Sequence, residues 1–113
     1  MTDTVFQKII DKEIPTDIIY EDEICIAIHD LHPQAPIHIL IIPKKSITKV
    51  SEANDEDKAL LGHLMLVGNK LARQQNIDDG FRFIINNGAK AGQSVFHLHV
   101  HLLGGRIMNW PPG

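Results

Sequence analysis

The run Gly92-Gln93-Ser94-Val95-Phe96-His97-Leu98-His99-Val100-His101-Leu102-Leu103-Gly104-Gly105 decides the fold. From His97 onward, imidazole and aliphatic side chains alternate. A strand turns successive side chains to opposite faces, whereas a helix would scatter them by about 100° per residue. The spacing therefore predicts a strand over 97–103, closed by the Gly104-Gly105 pair. His97, His99 and His101 share one face of it, with neighbours in the row about 6.5–7 Å apart. Leu98, Val100 and Leu102 share the other face and point to a core.

A row of imidazoles has three readings. Imidazole is a neutral nucleophile near neutral pH and a proton donor once charged, so a row can attack, orient and protonate. Three histidines can also hold zinc and leave a position for water. Rings on one straight strand converge poorly on a single ion, but His29, His32, His38 or His63 could complete such a set. The third reading is a solvated strand face, where Thr, Lys or Glu would serve equally well. The preceding Gly88-Ala89-Lys90-Ala91-Gly92-Gln93-Ser94 favours the chemical reading. A glycine-rich turn lets backbone N–H groups approach an anion, and Ser94 adds a hydroxyl. Such a turn beside imidazoles is a phosphate site; an ordinary hairpin loop is the alternative.

Working outward, residues 81–86 read as a strand leading into Asn86-Asn87-Gly88. Residues 55–75 read as the main helix, with an apolar stripe of Leu60, Leu61, Leu64, Val67 and Leu71. Asn54 is its expected cap, and Asp55, Glu56 and Asp57 suit its positive end. Gly62 and Gly68 each cost about 1 kcal/mol in a helix and mark close approach to a sheet or another subunit. His63 is expected on the surface.

Residues 37–42 form a buried central strand stopped by Pro43, with His38 expected as a satisfied core histidine. Residues 17–21 and 24–29 make two more strands, with Cys25 in the core. The second ends on His29-Asp30, where a carboxylate can accept from ribose hydroxyls or simply open a turn before Pro33. His32-Pro33-Gln34-Ala35-Pro36 is a rigid connection. Residues 4–11 form a short amphipathic helix with Val5, Phe6, Ile9 and Ile10 on its packing face, after the cap candidates Thr2, Asp3 and Thr4. The tail 106–113 is expected to be extended and loosely compacted because of Pro111-Pro112, with Trp110 needing something to dock on. The fold class is α+β: an antiparallel sheet of about five strands with one long and one short helix, in one domain over 1–113.

Composition narrows the function. The chain has 113 residues, 43% hydrophobic and 22% charged, as in a soluble globular protein. A net charge of −3 offers no nucleic-acid footprint and no polybasic membrane patch. The one cysteine leaves no internal disulfide and fits a reducing compartment. No stretch reads as a signal peptide or reaches the roughly 18 apolar residues of a membrane helix. A cytoplasmic protein without nucleic-acid or membrane partners is expected.

The heptad His97-Leu98-His99-Val100-His101-Leu102-Leu103 resembles the signature of the histidine triad (HIT) family. Phe6-Gln7-Lys8-Ile9-Ile10 with Glu13-Ile14-Pro15, His29-Asp30-Leu31-His32-Pro33-Gln34-Ala35-Pro36, and Gly104-Gly105-Arg106 with Trp110-Pro111-Pro112-Gly113 are similar to its Hint branch, the histidine triad nucleotide-binding proteins. The resemblance covers nearly the whole chain. It implies a HIT-like fold and a homodimer whose protomers join their sheets. It also implies hydrolysis of purine nucleoside 5′-phosphoramidates, or adenylates of the aminoacyl type, to an AMP-like monophosphate, without metal or cofactor.

By this resemblance Phe6 and Ile9 form a slot for the base, bordered by Ile28, His29 and Leu31. Asp30 holds the ribose, Asn86 the ribose or phosphate, and Gly92, Gln93, Ser94 and Val95 surround the phosphate. His99 attacks phosphorus and carries the nucleotide until water releases it. Its other ring nitrogen needs a fixed acceptor, such as a backbone carbonyl. His101 and the amides near Ser94 and Val95 stabilise phosphoryl charge, His101 acting as an imidazolium. Ser94 or His101 protonates the departing amine, and His97 orients the row. Trp110 reaches the partner's site and helps recognise the leaving group. Relatives often carry histidine where this chain has Ser46, so serine or water would replace it. Two other readings stay open: a nucleotide-binding or scaffold module with little catalysis, and a zinc-dependent hydrolase using the row as ligands.

Overall fold

The computed structural model describes residues 3–113. The strands Ile18–Glu21 (β1), Cys25–His29 (β2), Ile37–Pro43 (β3), Phe81–Ile84 (β4) and Val100–Gly104 (β5) form one five-stranded sheet in the order β1-β2-β3-β5-β4. Every neighbouring pair is antiparallel. Two α-helices, Val5–Ile10 (α1) and Lys58–Gln74 (α2), complete the α+β fold.

Helix α1 begins on a side-chain cap, and α2 follows a 3₁₀ turn that does. Thr4 accepts from the Gln7 N–H at 3.1 Å and starts α1; the candidate Thr2 lies outside the described residues. Asn54 accepts from the Glu56 N–H at 3.0 Å, and Asp57 accepts from the Asn54 N–H at 3.1 Å. This reciprocal box satisfies N–H groups that a helix start leaves unpaired. The first turn it opens, Asp55–Asp57, is 3₁₀, so α2 is shorter than the expected 55–75.

The two helices cover opposite faces of the sheet. Leu64, Val67 and Leu71 of α2 pack on Cys25, Ala27, Ile39, Ile41, Val100 and Leu102. Phe6 and Ile9 of α1 pack on Ile26, Ile28, Leu40 and Ile42. Gly68 is what lets α2 approach closely, since a Cβ there would stand 2.4 Å from Phe83 Cε1. Gly62 has open space around it, so within this chain the expectation of close approach applies to Gly68 alone.

The histidine run is only partly a paired strand, which corrects the expected 97–103. Pairing with β3 begins at Val100, opposite Ile41. Before that point the Leu98 N–H turns away to the Ile47 carbonyl at 2.6 Å. The side-chain alternation nevertheless continues through Leu98 into the core of the α2 face. The tail has no regular structure, but it is pinned rather than loose. Arg106 donates to the Gln34 carbonyl through Nη2 at 3.0 Å, and Arg82 donates to the Asn109 carbonyl at 2.9 Å. Among the described residues no helix is long and apolar enough to cross a membrane.

Candidate active site

The short helix α1 leaves part of its sheet face uncovered, and a cavity of about 260 Å³ opens there. Phe6 and Ile9 form one wall, Ile28, His29, Asp30 and Leu31 another, and Ser94, Val95, His99 and His101 the third. Leu31 lies at the mouth, 90% exposed. The structure thus brings most of the residues named from sequence into one cavity.

Hydrogen bonds fix which nitrogen of each ring carries its proton. His97 is fully buried, and its Nε2–H donates to the Pro43 carbonyl at 2.7 Å. His99 Nδ1–H donates to the His97 carbonyl at 2.8 Å. A neutral imidazole has one donor and one acceptor, so His99 Nε2 holds a lone pair. The Phe6 ring meets the His99 ring edge-on at a centroid distance of 4.9 Å. This contact and the carbonyl hold the ring in one orientation.

A further imidazole joins the row. The Gln34 N–H donates to His38 Nδ1 at 3.0 Å, which places the His38 proton on Nε2. That Nε2–H donates to His101 Nδ1 at 2.9 Å, with Asp30 Oδ2 3.4 Å away as a second acceptor. His101 therefore bears its own proton on Nε2, which is buried and has no partner among the described residues. His38 is buried as expected, but it also belongs to the site, a role the sequence reading missed. The available clue was period two: His38 shares a face with Leu40, and Leu40 lies opposite His101 in the ladder.

Burial lowers the pKa of His97, His99 and His38 below the ordinary histidine range. Burial, followed by the neighbouring His99 and His38, takes His101 down to about 4. At neutral pH the free protein thus holds an uncharged row. Burial and the neighbouring imidazoles oppose the imidazolium expected at His101 in the free protein.

The remaining named residues divide between the cavity and its frame. Asp30 Oδ1 accepts from the His32 N–H at 2.7 Å, so half of the carboxylate caps a turn while Oδ2 stays on the His38 side. Gly92 and Gln93 do not line the cavity. Their N–H groups bond within the loop, to the Ala89 and Gly88 carbonyls at 3.0 and 3.1 Å. The buried Gln93 side chain accepts from the Gly88 N–H at 2.8 Å and donates to the Thr48 and Val95 carbonyls at 2.9 and 3.1 Å. It is a strut that sets the loop carrying Ser94 and Val95. Gly92 sits at φ +94°, where a side chain is strained. Asn86 lines a neighbouring cavity of about 350 Å³ that shares His101 with the first, takes in His38 and is walled by Arg82 and Arg106. Trp110 is 82% exposed and stands near Asn86 of its own chain. Ser46 is exposed and lines neither cavity.

The fold and this constellation are those of a known class. The HIT domain family model matches residues 11–108, and the chain belongs to that family. An uncharacterized HIT-like protein of Synechocystis sp. is 57% identical over 111 residues, covering 98% of this chain and 97% of its own. A 14 kDa zinc-binding protein of Zea mays is 52% identical over 97% of this chain and 88% of its own. Among solved structures, a HIT family hydrolase from Legionella pneumophila superposes with a TM-score of 0.96 at 44% identity, over 98% of this chain and all of that one. The chain therefore has the HIT family hydrolase fold.

Proposed function

We propose that this protein hydrolyses purine nucleoside 5′-phosphoramidates, or related adenylates, through a nucleotidyl-histidine intermediate. One observation carries the reading. The His97 carbonyl holds the proton of His99 on Nδ1 at 2.8 Å, so a neutral Nε2 lone pair is ready in a ring that lines the cavity. Such a nitrogen attacks phosphorus without first losing a proton. The apolar wall of Phe6, Ile9 and Ile28 suits a flat purine, and Asp30 Oδ2 suits ribose hydroxyls. His101 Nε2–H and the amides near Ser94 and Val95 supply positive dipoles to the phosphoryl oxygens. The P–N bond breaks as the amine leaves with a proton that enters with the substrate or from solvent and is relayed by His101 or the Ser94 hydroxyl. Water then attacks the nucleotidyl-histidine, releases the monophosphate and restores the proton.

The name of the maize relative raises zinc, and the row fits it poorly. Asp30, His38 and His101 bring potential ligand atoms within 4.8 Å of one another. His38 could ligate through Nε2 only with its proton on Nδ1, and the Gln34 N–H already points at Nδ1. His97 turns its Nε2 away to the Pro43 carbonyl.

The proposal extends to a cytoplasmic homodimer in which Trp110 of each tail meets the partner's leaving-group side. The exposed indole supports this arrangement, and the buried single cysteine suits the compartment. The test is release of AMP from adenosine 5′-phosphoramidate in the presence of a chelator. Wild type should turn over and His99→Ala should not, and acid-free denaturing quench should trap nucleotide on the wild-type chain. Near-normal turnover by His99→Ala would overturn the mechanism.

A further inference from the structure

On the other face, where the turn between β1 and β2 meets the first half of α2, a second imidazole meets a carboxylate. His63 Nε2 lies 2.6 Å from Asp22 Oδ2, and the thiol of Cys25 lies against both, the donor atoms of all three falling within 4.8 Å of one another. We propose that Asp22, Cys25 and His63 bind a divalent cation, zinc by its ligand chemistry, with water in the fourth position.

The donor set is the first argument. One thiolate, one imidazole and one carboxylate are ligands zinc accepts together, at bonds of about 2.0–2.3 Å in a tetrahedron. A thiolate discriminates against calcium and magnesium, which take oxygen. The second argument is preorganisation. Asp22 Oδ1 accepts from the Ile24 and Cys25 N–H groups, each at 2.8 Å, which fixes the carboxylate. Oδ2 is left toward His63, with the Tyr20 hydroxyl donating to it at 2.8 Å as an outer-sphere partner. The third is access. The Asp22 and His63 side chains are 25% and 31% exposed, while Cys25 is fully buried beneath them. An ion enters from solvent and meets the thiol last.

The ring tautomer separates this cluster from the one at the catalytic row. No donor among the described residues meets His63 Nδ1, so its proton can move there and free Nε2 for the metal. At His38 the Gln34 amide forbids that move. A structural tie from α2 to the hairpin would need only Tyr20, Asp22 and His63; the buried Cys25 belongs to the α2-face core, and its thiol also faces the Asp22 carboxylate. On binding, the Cys25 S–H bond breaks, a sulfur–metal bond forms and the proton leaves to solvent. The His63–Asp22 hydrogen bond is replaced by one metal bond from each residue, and no electron is transferred.

The test uses the full chain stripped of metal and titrated with zinc, then with cobalt(II) as a coloured stand-in. The expected result is a single zinc per chain and a thiolate-to-cobalt charge-transfer band that disappears in Cys25→Ser. His63→Gln, at a half-exposed position that does not threaten folding, should weaken zinc at least about tenfold. His99→Ala should bind zinc as wild type does. A cobalt spectrum without a thiolate band, or zinc retained by His63→Gln, would overturn the site. So would zinc lost in His99→Ala. Phosphoramidate turnover in Cys25→Ser and His63→Gln should stay at the wild-type level, so this proposal and the catalytic one fail separately.

Discussion

On the α2 face, a helix of 17 residues lays Leu64, Val67 and Leu71 across the sheet and closes it. On the opposite face, α1 has 6 residues and reaches only far enough to bring Phe6 and Ile9 onto Ile26, Ile28, Leu40 and Ile42. The same strands thus carry a complete core on one side and an unfinished one on the other. His38, His99 and His101 occupy the part that α1 does not cover. Burial there is deep enough to keep imidazoles uncharged, yet a cavity of about 260 Å³ remains for a ligand. The difference in helix length separates the face that holds the fold from the face that holds the candidate site.

The sharpest way to break this division is His99→Ala. Turnover should fall by about 10³-fold or more, as for loss of a nucleophile, while the urea midpoint of unfolding changes little. A large loss of stability in this variant would mean that the two faces are not separable. Leu64→Ala is the converse. Its side chain is fully buried under α2, and removing it should cost about 2–5 kcal/mol by urea titration with turnover per folded molecule unchanged.

A smaller effect should appear with pH, and its sign follows from burial. The site histidines have folded pKa values below the unfolded value of 6.5, with His101 at about 4. In that window the unfolded chain binds more protons, so stability should be lost as pH falls from 6.5 toward 4. Urea midpoints at pH 7 and pH 5 measure the slope, and His101→Asn should flatten it. An unchanged slope in that variant would remove His101 as a source of the acid sensitivity.

The divided architecture was visible in the sequence to different depths. Period two in 97–103 gave the correct sidedness of every residue, because alternation needs only extended backbone. It could not give the start of the ladder, since the Ile47 carbonyl that captures the Leu98 N–H belongs to a loop distant in sequence. Gly62 and Gly68 look alike in the α2 pattern, and the positions of Phe83 and Ile41 distinguish them. The burial expected for His38 and the surface position expected for His63 both came from local pattern. Their partners did not. His101 reaches His38 because β5 inserts beside β3, and Asp22 reaches His63 because the β1–β2 turn lies against α2. The place of Gln93 at the phosphate is implied by the resemblance alone, and the turn's own carbonyls take the N–H groups of Gly92 and Gln93.

The hydrogen bond from Gln34 to His38 has a consequence for how this chain can vary. It is made by the main-chain N–H, and the Arg106 contact is made by the main-chain carbonyl. The Gln34 side chain takes part in neither; its amide bonds to the His32 carbonyl at 3.0 Å. Position 34 should therefore tolerate almost every codon change, though its N–H sets the tautomers of His38 and His101. Proline alone deletes the N–H. A saturation library at this position, scored for turnover, should show a flat profile with a single trough at Gln34→Pro.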